Sequence, residues 1–594
     1  MQPVTEASND ITQNIDVASP KEIVQLLCSC DVEIFDGWHG YPNIHSNEII
    51  HTIGEIATAG VEILKDPSNN IIVLSGCGTS GRLAFILCRS FNKLLREQGM
   101  QECYEYVIAG GDKALFTSQE APEDDPEAGI QALKQVSQGK RKVLFIGITC
   151  GLSAPFVAGQ LDYCMDNLDK FTPVLLGFNP LNLARDLPIE NWNKTFLQVT
   201  KRLEDLCQKH SDKCFILNPI VGPEAIRGSS RMKGGSVTKI LLETIFTISH
   251  HIRDDKNQSL HIMVQSLLSA YRHVYEMTYS YMDDIAVMIQ WAAESLNNNG
   301  HVYYIGVDSL ATIGIIDASE CPPTYSSSLE DIRGFIYGGY TTYKNKEGDI
   351  SHHSINNFQE NLIDQLACND TVLFLLTYQD VCNENDSVTQ LTKSILQYTK
   401  HIGAIYFTEP HNPSGNTDES TVLSYFKHVA MVTLPWHRIQ ETISPVFPTL
   451  SGTKLYEELR HFVGFLCEIS LKWILNAIST GSHIMKGKIY KNLMIDVKVS
   501  NNKLYHRAIS IIQKFAGCSL EEARCALIKS IYKTDTLTAE QGSAAISKHI
   551  DMATTMNKVV PAALLIAVRQ CSVHEAIQIL NDVKVVSKAI LMSK

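Results

Sequence analysis

The sequence predicts an α/β fold: two tandem doubly wound parallel sheets followed by a C-terminal all-helical domain. Three observations carry this. Short apolar runs ending in glycine alternate with helical patterns, the alternation stops and then restarts, and the strand signal disappears after about residue 500. With 594 residues, 44% hydrophobic and 19% charged, the chain has ample material for two or three large folded units.

The first set of runs is IIVLSG at 71–76, EYVIAGG at 105–111, VLFIGIT at 143–149, PVLLGFN at 173–179 and CFILNP at 214–219. Near-continuous apolar runs separated by helical spacing are the pattern of a parallel sheet covered on both faces. A long helical stretch follows, from VTKILLETIF at 237 to LNNNG ending at 300. The alternation then resumes with VYYIGVD at 302, FIYGG at 335, TVLFLLTY at 371, GAIYFTEP at 403 and HVAMVTLPW at 428. The two halves align residue by residue: Gly78-Thr79-Ser80-Gly81 stands opposite Asp308-Ser309-Leu310-Ala311, and Ile108-Ala109-Gly110-Gly111 opposite Ile336-Tyr337-Gly338-Gly339. Beyond residue 500, LYHRAISIIQKFAG and SLEEARCALIKSIY carry apolar residues at helical spacing, the second opened by the capping box Ser519/Glu522. The expected units are a helical segment 1–50, a first sheet domain 51–270, a second 285–475 and a helical cap 476–594.

Charge and cysteine content narrow the function. Lys and Arg number 51 against 64 Asp and Glu, a net charge of −13 that argues against nucleic acid as the main partner. Sixteen cysteines at irregular spacing read as reduced thiols, and Cys28-Ser29-Cys30 lacks the spacing of a zinc site, so neither metal nor cofactor is expected. No basic-then-apolar leader and no uncharged apolar run of membrane length is recognised, so an intracellular protein without a membrane partner is expected.

Three loops carry the chemistry. Gly76-Cys77-Gly78-Thr79-Ser80-Gly81-Arg82 follows a strand and opens a helix. It matches the dinucleotide glycine pattern formally, but a hydroxyl pair sits where the pyrophosphate backbone approaches, and Arg82-Leu83 replace the Lys and Ser/Thr of a nucleotide P-loop. Amides and hydroxyls at a helix start suit a compact phosphomonoester; the plainer alternative is a tight turn with a capping serine. A second loop, Thr149-Cys150-Gly151-Leu152-Ser153-Ala154-Pro155, repeats the chemistry with Ser153 expected at a helix start. A third, residues 222–235, combines Ser229, Ser230, Arg231 and Lys233 with glycines. All three lie at strand-to-helix junctions of one parallel sheet, where such sheets bind ligands.

These residues carry a resemblance. Gly76 to Leu83 resembles the phosphosugar loop of the sugar isomerase (SIS) domain, and the segments around NPIVGPEAIRGSSRMKGG, DASECPPTY, QEAPEDDPEAG and STGSHIMKGKIYKN are similar to N-acetylmuramic acid 6-phosphate etherases. Tandem SIS copies with a helical cap resemble the family of regulators of glucokinase over essentially the whole chain. That resemblance implies a non-enzymatic, allosteric regulator in cytoplasm and nucleus. It would bind and inhibit glucokinase in competition with glucose, with fructose 6-phosphate favouring the complex and fructose 1-phosphate opposing it. It further implies a fructose phosphate site from Gly78, Thr79, Ser80, Thr149, Cys150, Gly151, Ser153, Ser230, Arg231 and Lys488 around the phosphate, with Glu123 and Glu320 on the sugar. Etherases use two glutamates per site as acid and base. Here copy one has Ser90 in place of the first and keeps Glu123, whereas copy two keeps Glu320 but has Ser351 or a neighbour in place of the second. Each copy has lost one, so no catalytic residue is assigned; the alternative is an etherase-like lyase or a sugar-phosphate isomerase. TLPWHRIQETISPVF at 433–447, with Trp436 and Phe447, is a candidate kinase surface; the plainer alternative, and the commoner one for aromatics in such a stretch, is core.

Overall fold

A computed structural model describes residues 3–117, 121–190, 192–254, 259–337, 353–383, 385–409, 422–447, 459–497, 499, 502–553 and 556–591. The chain opens with a strap of turns and two short 3₁₀ helices (Val4–Glu6 and Ile15–Val17) and then α1 (Pro20–Asp31), fixed by a Ser19/Glu22 capping box with proline in its first turn. After α2 (Glu33–Asp36) and α3 (Asn47–Leu64), the first sheet domain runs β1 (Asn70–Gly76), α4 (Thr79–Glu97), β2 (Tyr104–Ile108), α5 (Pro126–Val136), β3 (Lys142–Ile148), α6 (Pro155–Met165), β4 (Phe171–Leu176), α7 (Phe196–Lys209) and β5 (Phe215–Leu217). The helices α8 (Lys233–Asp254), α9 (Leu260–Ser280) and α10 (Met282–Asn297) lead to the second domain. It contains β6 (Val302–Gly306), α11 (Asp308–Tyr325), β7 (Ile332–Ile336), α12 (Ile355–Asn361), β8 (Thr371–Thr377), α13 (Tyr378–Asn383), α14 (Asn385–Ile395), β9 (His401–Phe407), β10 (His428–Val432) and α15 (Trp436–Ile443).

Both sheets are parallel and share one topology, with strand orders β2-β1-β3-β4-β5 and β7-β6-β8-β9-β10. Gly76 at the end of β1 pairs with Ile108 and Ile148, and Gly306 at the end of β6 pairs with Ile336 and Leu375. The alignment of copies made from sequence is therefore an alignment of strand ends. Strand order reverses between β1 and β3, which puts the first two loops at the switch point where such sheets leave a crevice.

The expected boundary at 475 falls inside α16 (Arg460–Met485), a 26-residue helix that continues through it. This helix is long and apolar enough to span a bilayer, and 89% of its most apolar window is buried inside the protein. It is buried on nearly all sides because it lies between the two domains, in one largely apolar cluster that runs from Ile15 and α1 through α3, α8, α9 and α11 to Ile484. The outer faces of the two sheets have separate cores. The cap forms its own core from residue 490 onward, beginning at a hairpin of β11 (Ile489–Tyr490) and β12 (Leu493–Met494). Ser519 and Glu522 form the capping box read from the sequence. Gly338, Gly339 and Ser351 lie outside the described residues.

Candidate functional site

The first loop is shaped by glycines that nothing larger replaces. Gly78 has φ +50° and ψ −124°, a backbone state open to glycine, and a Cβ on Gly81 would stand 2.4 Å from Ile108 Cγ1 and 2.8 Å from the Gly76 carbonyl. The turn is tight because α4 begins at once against β2, and it places Thr79 and the 7%-exposed Ser80 in the first turn of a 19-residue helix. The helix N-terminus and the two hydroxyls form a donor set for an anion.

The second loop reaches the first through Cys150, whose Sγ lies 3.9 Å from Ser80 Oγ. Burial pushes the Cys150 thiol up to about 12, so it is a packing thiol rather than a nucleophile. Thr149 Oγ1 accepts the Ser153 amide at 3.2 Å, and Asn179 Nδ2 donates to the Gly151 carbonyl at 2.8 Å. The N-cap of α6 is Ala154 with Pro155 at the first helical position, so Ser153 stands one residue before the cap and caps nothing, contrary to the helix-start role expected for it.

The third loop closes on both. A Cβ on Gly234 would lie 3.2 Å from Cys150 Sγ, and one on Gly235 would lie 3.3 Å from Thr79 Cγ2. The amides at the start of α8 are already taken: Glu224, 3% exposed, accepts Lys233 N and Gly234 N at 2.8 Å each. Burial raises the Glu224 carboxyl to about 7, opposed by Lys233 and by those amides. The start of α8 is thus neutralised from within, which leaves the helix start of α4 and the hydroxyls of the second loop as the candidate anion donors. Ser230 is half-buried beside them, its carbonyl accepting Gly235 N at 2.8 Å.

The two glutamates arrive from opposite copies. Glu123 Oε1 lies 3.6 Å from where a Gly78 Cβ would be. Glu320, on α11 of the second copy, approaches Arg82 Nη1 at 3.5 Å, both side chains at most 5% exposed, directly after the first loop. Ser90, its counterpart in copy one, is half-buried on α4. In the second copy Asp308, with φ +45°, holds Lys93 of the first at 2.6 Å, so a carboxylate stands where copy one keeps Gly78.

Two residues expected around the phosphate have side chains turned to other partners. Arg231 is buried with its guanidinium on Asp317 (2.9 Å), Tyr325 Oη (2.8 Å), Thr480 Oγ1 (2.9 Å) and Ser479 Oγ (3.1 Å). Only its backbone belongs to the loop. Lys488 Nζ pairs with Asp496 at 2.5 Å and reaches the Ser326 carbonyl at 3.4 Å. Trp436 and Phe447 are 5% and 7% exposed and belong to the core, which corrects their reading as a surface. A groove of about 420 Å³, lined by Pro42, Ile49, Leu181, Cys207 and Ile216 among others, runs along the edge strand β5 and shares none of the predicted site residues.

Sequence reasoning missed Lys472, on α16, whose Nζ would lie 3.3 Å from a Gly235 Cβ. Its signal was the one lysine of a helix that is apolar through most of its length.

Two matching parallel sheets, one with an intact glycine–hydroxyl loop and one with an aspartate in its place, joined to a helical lid, define a tandem SIS-domain protein. Family models agree: a "Glucokinase regulatory protein N-terminal SIS domain" matches residues 55–165, the "second SIS domain" 279–486 and the "C-terminal lid domain" 491–590. The chain is 40% identical over 590 residues to the glucokinase regulatory protein of Xenopus laevis, covering 98% of this chain and 91% of that one. It is 38% identical to the human protein, over 97% and 89%. An N-acetylmuramic acid 6-phosphate etherase of Bacillus licheniformis is 31% identical over 284 residues, 47% of this chain and 82% of the etherase. The chain belongs to the glucokinase regulatory protein family.

Proposed function

We propose that this protein is a non-enzymatic regulator that binds glucokinase and inhibits it in competition with glucose. The first SIS copy takes fructose 6-phosphate or fructose 1-phosphate to set that affinity, in cytoplasm and nucleus. The observation that carries the reading is the divided site: Glu123 beside the intact loop of copy one, Glu320 across the copy boundary on Arg82, and Asp308 in the loop of copy two. A donor set without a nucleophile–base pair binds a phosphate without turning it over. Thr79, Ser80, Thr149, Ser153 and Ser230 hold the phosphate, and the two glutamates accept sugar hydroxyls.

A ligand changes a partner's affinity only by binding two arrangements of the protein unequally. The third loop supplies a route, since Ser230 is next to Arg231, which is tied to α11 and α16. A 10- to 100-fold effect needs about 1.4–2.7 kcal/mol, the scale of one or two charge-assisted hydrogen bonds.

The test is calorimetry with purified glucokinase, alone and with each fructose phosphate. Binding strengthened by one and weakened by the other is expected; no binding under any of the three conditions refutes the regulator. The etherase relationship favours a second reading, ether cleavage, and lactate release from N-acetylmuramic acid 6-phosphate at enzyme-like rates would establish it instead.

A further inference from the structure

The cations expected around the phosphate are committed elsewhere, Arg231 to Asp317 and Lys488 to Asp496. A third lies behind the loops. Lys472 is 7% exposed, and its Nζ donates to the carbonyls of Arg231 (2.7 Å) and Met232 (3.2 Å) and to Ser236 Oγ (3.2 Å). The Asn476 amide, oriented to satisfy both neighbours, adds an oxygen at 2.9 Å and turns its nitrogen to Asp317 at 3.0 Å. Every acceptor on the ammonium is neutral.

Its place relative to the loops is fixed by Gly235. A carbon added there would stand 3.3 Å from Lys472 Nζ and 3.3 Å from Thr79 Cγ2, so the ammonium is separated from the first loop by one glycine. The charges that face it are Asp31 of α1, Glu224 and Arg231 of the third loop, and Asp317 and Glu320 of α11. On its own helix, Glu468 is engaged by Lys239. A positive charge held this way raises the potential at the hydroxyl loop without contacting the ligand.

We propose that Lys472 is the positioning residue of the phosphate site: it clamps the backbone of the two residues after Ser230 and places a positive charge behind Gly235 and Thr79. This rests on the reading that copy one binds a sugar phosphate. Burial brings the Lys472 ammonium down to about 8, so its charge is lost within an accessible pH range.

The experiment is calorimetric titration of the full chain with fructose 1-phosphate and fructose 6-phosphate from pH 7 to 9. A phosphate monoester has a second pKa of about 6 and is largely dianionic throughout, so a change in affinity is the protein's. If the complex retains the proton on Lys472, affinity falls by about tenfold across this range. Lys472→Met is expected to bind at least tenfold more weakly at pH 7 with a flat profile. Lys472→Arg keeps its charge at every pH used and is expected to bind without the alkaline fall. A flat wild-type profile overturns the proposal, as does a Met variant within twofold of wild type that keeps the wild-type profile. Should the Met variant not fold, the wild-type and Arg profiles decide. If neither sugar phosphate binds the wild type, the sugar-phosphate reading itself fails and takes the proposal with it; binding indifferent to Lys472 overturns the proposal alone.

Discussion

Removing Asp317 leaves the Arg231 guanidinium as a buried charge without a counter-ion. The two side chains are 2% and 3% exposed and meet at 2.9 Å. Breaking such a pair from one side costs about 3–5 kcal/mol, because the remaining charge is desolvated and unmatched. Three neutral hydroxyls still face Arg231, those of Tyr325, Ser479 and Thr480, so the lower end, about 3 kcal/mol, is expected for Asp317→Ala. Arg231→Met strands the carboxylate, which retains Ser479 Oγ at 3.0 Å and Tyr304 Oη at 3.5 Å, and is expected to cost a similar amount. Removing both charges with Arg231→Met and Asp317→Leu restores an apolar contact, and the double variant is expected within about 1 kcal/mol of wild type. The assay is urea denaturation followed by tryptophan fluorescence, with hydrogen exchange of the α16 amides as the local readout, since a chain of several domains need not unfold in one step. Single variants costing under about 1 kcal/mol each, or penalties that simply add in the double, would show that the junction is not a charge pair cut off from solvent.

Two further outcomes follow from the same geometry. Gly81→Ala drives a methyl into Ile108 and the Gly76 carbonyl and must shift the start of α4; titration should show at least a tenfold loss of sugar-phosphate affinity with a stability loss of about 1–3 kcal/mol, and unchanged affinity would move the site off this loop. Glu243, buried with Lys239, Glu468 and Tyr271, is raised by burial to about 8, so its stabilising contribution is complete below about 4.5 and lost as pH rises through 8; Glu243→Gln should flatten the decline in stability between pH 6 and 8 by up to about 2–3 kcal/mol, and a slope equal to wild type would refute the assignment.

Strands, loops and cap were legible because each leaves a local trace: an apolar run, a glycine where a turn must be tight, a capping pair such as Ser519 and Glu522. Thr79, Ser80, Thr149 and Ser153 followed, since strand ends place them whatever their rotamers. Arg231 shows where that reasoning stops. Sequence puts its backbone in the third loop, but the side chain's direction depends on Asp317, 86 positions away, and on α16. Lys472 was hidden for the opposite reason. A lysine in an apolar stretch is ordinarily a stem covering a surface with its head in water, and only the burial of α16 between two domains makes it an interior cation. For Trp436 and Phe447 the sequence left surface and core both open, and the same packing information decides for the core.

The strap before α1 has a consequence for how the molecule is made. Asn9 Nδ2 donates to the Pro223 carbonyl, Thr12 Oγ1 to that of Ala225, and Asn492 Nδ2 to that of Asn9; Ser587 Oγ donates to Asp16. The strap therefore finishes folding only against residues separated from it by 483 and 571 positions. During synthesis at about 5–20 residues per second, the strap can meet Pro223 and Ala225 as soon as the first sheet domain emerges, whereas its contacts with Asn492 and Ser587 wait tens of seconds longer. The strap is stitched in two stages, and a ribosome stalled before residue 492 would carry a sheet domain whose strap is bound on the loop side alone.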